Sequence, residues 1–200
     1  MKKLNFFVLL ITLLSTSIVK ADALKDLLLL LDTPHGLNRL SEKNTTTLKH
    51  INAQPSKYIE ILAQRYDAPM LNELIQSEET KETRRLESAI LILTQINSEE
   101  AFAQLNQWYT ELHGPDARKL RRTLLASIGT RPYNELIDNI LVDLPEMDAG
   151  TFFAAYEYLW HAAQQTPSLK NKLKQLTEQT QLPEYQTQYL NKIIDNTVTN

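Results

Sequence analysis

The sequence predicts an all-α chain of short stacked helical hairpins, and three observations carry that expectation. Apolar residues recur at three- and four-residue spacing through most of the chain after Thr46, as on one face of a helix. No comparable stretch alternates apolar with polar residues, and strand-turn pairs such as Asn-Gly or Asp-Gly are missing. The eight prolines fall between the periodic segments. Inside a helix each would cost about 3 kcal/mol, whereas in a first turn the missing N–H costs nothing.

Taken in order, Met1 to Ala21 has the pattern of a cleaved secretory signal peptide. Lys2 and Lys3 are followed by an uncharged run, Leu4 to Val19, and Val19-Lys20-Ala21 suits a cleavage site. That run is 16 residues, short of the ~18 needed to cross a bilayer core. Residues 22–200 then form one domain, placed in the periplasm or secreted. Leu27–Leu31 is either a first packing helix or an apolar face for a partner. Ile59, Leu62 and Tyr66 mark a helix after Pro55, and Asp67 caps the next one at Ala68-Pro69.

The middle of the chain gives four clear stripes: Leu86, Ala89, Leu93 and Ile96; Ala101, Leu105, Trp108 and Leu112; Ala117, Leu120, Leu124 and Ile128; and Tyr133, Leu136 or Ile137, Ile140 and Leu144. Asn97-Ser98 separates the first two, with Asn97 and Glu100 at capping-box spacing. Phe152, Tyr156, Leu159 and Ala163 mark an aromatic-rich helix. Two narrower stripes close the chain, Leu169, Leu173, Leu176 and then Tyr185, Tyr189, Ile193. Each large side chain buried contributes about 1.5–3 kcal/mol before entropy is subtracted, so no helix stands alone on its own stripe.

Four places share one form, an apolar helix end, a few polar residues, then a new helix. They begin at Ile51, Ile96, Ile128 and Ala163, with steps of 45, 32 and 35 residues. "RRLESAILILTQINSEEAFAQLNQW" and "RKLRRTLLASIGTRPYNELIDNIL" resemble HEAT-type repeat units, best over residues 84–143. The resemblance implies a short, irregular α-solenoid with a surface for another protein or peptide. An irregular helical bundle is the alternative architecture.

Composition excludes whole classes of chemistry. With no cysteine there is no disulfide, thiolate metal site, cysteine nucleophile or lipoprotein anchor. The four histidines, His35, His50, His113 and His161, have no metal-ligand spacing, and four glycines cannot build a phosphate-cradling loop. No metal or cofactor is therefore expected. Removing Lys2, Lys3 and Lys20 with the leader would move the formal charge from −3 to −6, which argues against nucleic acid as a partner.

Two features point to a binding surface. Arg118, Arg121 and Arg122 cluster on one helix, on a face read as opposite Leu120 and Leu124, with Glu111, Asp116 and Glu135 as their nearest candidate counter-charges. "TFFAAYEYLWHAAQQ" concentrates aromatics, of which Tyr158 and Trp160 are the candidate partner contacts. The expected function is a non-enzymatic adaptor that binds a protein or peptide along the second helices of consecutive hairpins. The alternatives are an immunity or inhibitor protein acting on a periplasmic toxin through an acidic face, and a cell-wall hydrolase using paired carboxylates.

Overall fold

The computed structural model describes residues 27, 28, 30–32, 49, 51–77 and 80–196. The expected signal peptide, His35, His50 and the last four residues lie outside that set. From Pro55 on, these helices follow one another among the described residues: α1 Pro55–Arg65, α2 Ala68–Gln76, α3 Thr80–Ile96, α4 Glu99–Glu111, α5 Arg118–Ser127, α6 Asn134–Asp143, α7 Ala149–Gln165, α8 Ser168–Gln179 and α9 Glu184–Asp195. A 3-10 turn, Leu144–Glu146, extends α6. The fold is all-α, with no strand among the described residues.

Local chemistry sets the boundaries. Pro55 and Pro69 occupy first turns, and Asp67 accepts the N–H of Met70 at 3.0 Å. The break between α3 and α4 is capped differently from the expected Asn97–Glu100 box. Asn97 has φ 51°, a left-handed stop for α3 that asparagine tolerates, and Ser98 caps α4 by accepting from Ala101 N–H at 3.1 Å. Glu100 turns outward and takes the Ser56 hydroxyl at 2.7 Å. Gly129, φ 76°, is the matching stop between α5 and α6.

The odd-numbered helices pack in succession, α1 on α3, α3 on α5, α5 on α7 and α7 on α9. The even-numbered ones form a second row, α2 on α4 and α4 on α6. An ion pair of 2.5 Å from Lys172 to Asp138 continues it from α6 to α8. The apolar stripes of α1, α3, α4, α5, α6 and α7 turn inward and share one core, with Trp108, Tyr109, Phe102 and Phe152 all fully buried. Leu27, Leu30 and Leu31 join that core, and Asp32 holds Arg85 through two bonds of 2.6 and 2.7 Å. Leu27, Leu30 and Leu31 thus serve packing, as a first packing helix would. In α9 Ile193 is buried as expected, and Gln186 and Leu190, each one position past Tyr185 and Tyr189, complete the buried face, which leaves those two tyrosines half-buried at the surface.

Polar ties join successive hairpins at a near-constant interval. Thr94 donates to the Ser127 carbonyl at 3.1 Å, and Asn139 to Asn106 at 2.9 Å. Arg131 reaches back to the Asn97 carbonyl at 2.5 Å and to Glu99, and Gln165 donates to the Thr130 carbonyl at 2.7 Å. All of these, with Lys172–Asp138, span 32 to 35 residues.

Candidate functional site

Helix α5 is the most one-sided segment of charge in the chain. Its sequence, RKLRRTLLAS, holds four bases and no acid, all in the first five residues. Cations at a helix N-terminus oppose the macrodipole, and Ala117 at the cap position offers no side-chain acceptor. The next helix is the reverse, NELIDNILVD, with three acids and no base. The α5–α6 hairpin therefore shows a basic face in the first row and an acidic face in the second.

The three candidate arginines do not act as one face. Arg121 turns inward, its guanidinium 2.9 Å from Asp143 and 4.5 Å above the Tyr109 ring. It ties α5 to α6 and α4, and is corrected from partner contact to structural residue. Burial of the Tyr109 hydroxyl itself raises its pKa, since a phenolate there would lose its hydration, and the Arg121 charge only partly offsets that rise. Arg118 is exposed and meets Asp148 at a loose 3.8 Å. Arg122 is exposed, and its guanidinium lies over the start of α7, where a Cβ on Gly150 would come within 2.6 Å of Nη1. No ion pair forms at Arg122 or Lys119 among the described residues. The partners that the structure gives the cluster are Asp143 and Asp148, in place of Glu111, Asp116 and Glu135.

Tyr158 is likewise not at the surface. It is 2 % exposed, and its hydroxyl accepts the Tyr133 N–H at 3.0 Å and donates to the Arg131 carbonyl at 3.2 Å. Trp160 is half-buried and tilted against Tyr156 at 6.0 Å. The aromatic residue that does stand out is Phe153, 41 % exposed. Its ring meets Tyr189 edge-on at 5.0 Å and Tyr185 at 6.3 Å, and Tyr156 meets Tyr189 at 5.2 Å. Lys192 lies 4.0 Å above the Tyr189 ring, a cation–π contact.

These residues form one surface across α5, α7 and α9. Gly150 and Phe153 sit one turn apart on α7, so Arg122 flanks the exposed ring on one side and Lys192, through Tyr189, on the other. The sequence points to the helices α5 and α7 but not to the registers. Arg118, Arg121, Arg122, Tyr158 and Trp160 all lie on first-row helices, which moves the expected surface off the second helices of the hairpins. The available signal was Gly150, a glycine in a first helical turn with no turn to make.

Beside this surface lies a cleft of about 230 Å³, lined by Arg118, Arg121, Asp143, Glu146, Asp148 and Thr151 among others. Asp148 is fully used. It caps α7 by accepting from Gly150 and Thr151 N–H at 2.9 and 3.1 Å and from the Thr151 hydroxyl at 2.7 Å. Burial pushes its pKa up, but these bonds and Arg118 outweigh that and hold it below the ordinary value. A general acid needs the opposite shift. Among the described residues no group of three or more His, Asp or Glu side chains is placed to hold a metal ion. No described helix is long and apolar enough to cross a membrane.

No protein-family model matches the chain, and no curated protein or solved structure matches it either.

Proposed function

We propose that this chain is an exported, non-enzymatic interaction protein with HEAT-like helical repeats, which binds a protein or peptide partner on its first-row face. Two rows of helices joined at 32- to 35-residue intervals support the repeat reading. The observation that carries the binding role is Phe153, exposed between Arg122 and Lys192. Aromatic and arginine side chains dominate interface hot spots, and an exposed ring flanked by cations fits a partner with an apolar anchor beside carboxylates.

The test is crosslinked capture in a periplasm-bearing host, with the chain carrying its own leader. Wild type, Phe153→Ser with Arg122→Glu, and Tyr158→Phe are compared. Partners lost from the first variant and kept by the second support the reading. The same partners captured by all three remove this surface from the binding role, and a chain that stays in the cytoplasm removes export.

A further inference from the structure

The only other large apolar side chain strongly exposed among the described residues is Val142, 77 % exposed on α6. A lone exposed valine means little, but its neighbours are specific. Glu135, Asp138 and Val142 follow at three- and four-residue spacing along α6, all exposed. They form one stripe, an apolar anchor with two carboxylates beside it. That is the chemistry proposed for a partner of the Phe153 surface. Asp138 shares its charge with Lys172, both about half exposed, and Glu135 takes the Tyr133 hydroxyl at 3.1 Å.

We infer that the Phe153 face of one chain docks the Val142 stripe of a second copy. This rests on the binding role proposed for the Phe153 face and names its occupant. The charges fit, since Arg122, Lys119 and Lys192 meet Glu135 and Asp138, and the two exposed apolar side chains meet each other. The two surfaces lie on different helix rows, so the contact is heterologous: each chain offers one donor surface and one acceptor surface, and association runs head to tail. Gly150 serves the same contact. Without a Cβ it leaves room for the Arg122 guanidinium over the start of α7, and alanine there would displace it.

Sedimentation equilibrium on the chain, expressed with its own leader and purified as the cell processes it, tests this. Wild type is expected to gain weight-average mass with concentration up to about 1 mM, where a contact with a Kd of about 1 mM is substantially formed. The gain should shrink as salt rises. Val142→Lys and Arg122→Glu each change one exposed side chain, so both should fold, and each alone should be monomeric. Mixed together they keep one good pair of surfaces, so the mixture should give a dimer and nothing larger. A wild type that stays monomeric throughout overturns the inference, as does association unmoved by either variant. If a foreign partner is still captured through Phe153 in that case, the second-copy contact falls and the binding role stands; if nothing is captured through Phe153 either, both fall.

Discussion

The hydroxyl of Tyr158 on α7 accepts the backbone N–H of Tyr133, 25 residues earlier, at 3.0 Å, and donates its own O–H to the Arg131 carbonyl. One side chain thereby satisfies two backbone groups in the loop that enters α6. Tyr158→Phe keeps the ring and strands the Tyr133 N–H. A buried unpaired donor costs about 1–3 kcal/mol, so the variant should lose roughly that in chemical denaturation while capture and self-association stay at wild-type level. A loss of binding without loss of stability would return Tyr158 to the surface role.

Burial pushes the hydroxyls of Tyr66 and Tyr158 up to about 12 from an ordinary 10. The folded chain holds both protons after the unfolded chain has released them. Their stabilising contribution is therefore complete below pH 10 and is lost as pH rises to about 12. Each shift amounts to about 2–3 kcal/mol at most. Urea midpoints should be flat to about pH 9 and fall steeply from pH 10 to 12. Tyr158→Phe should show a shallower fall than wild type, and an equal fall would contradict the assignment.

The glycines should separate by environment. Gly114 and Gly129 both have positive φ, 83° and 76°, so alanine is strained by about 1–2 kcal/mol at each. At Gly114 a Cβ meets open space, whereas at Gly129 it would press Thr94 Cγ2 at 3.2 Å. Gly129→Ala should therefore be the more destabilising. Gly150→Ala sits in a first helical turn and displaces only a flexible guanidinium and the edge of Asp148. It should hold or raise stability, by up to about 1 kcal/mol, while weakening self-association. Thermal melts of the three variants order them.

Asp148→Ala removes the cap of α7 and should cost about 0.5–2 kcal/mol. The carboxyl's pKa lies below its ordinary value in the folded state. Its contribution is thus present above about pH 4 and lost as pH falls through the folded value. Wild type and variant should converge in stability toward pH 2, and a gap that persists there would mean the aspartate acts through packing.

Much of the fold was legible because helix periodicity and proline placement are local properties. Leu120, Leu124 and Ile128, or Leu105 and Trp108, are buried in the register their spacing requires. The site was legible only to the level of the helix. On α7 nearly the whole circumference is apolar, so spacing alone could not tell Tyr158, which points in, from Phe153, which points out. Arg121 and Arg122 are adjacent in sequence and chemically identical. Asp143 and Tyr109, supplied by other helices, draw the first inward, and Gly150 makes room for the second.

By itself the sequence determined an all-helical chain without disulfides, the helices and most of their buried faces, because those follow from backbone sterics and the burial of a stripe. Tertiary structure decided which of two neighbouring side chains meets solvent, since that depends on partners 12 to 36 residues away. It also placed a basic aromatic face on one row and an acidic stripe on the other. The basic aromatic face is not visible along the chain, because it is assembled from α5, α7 and α9, which become neighbours only after packing.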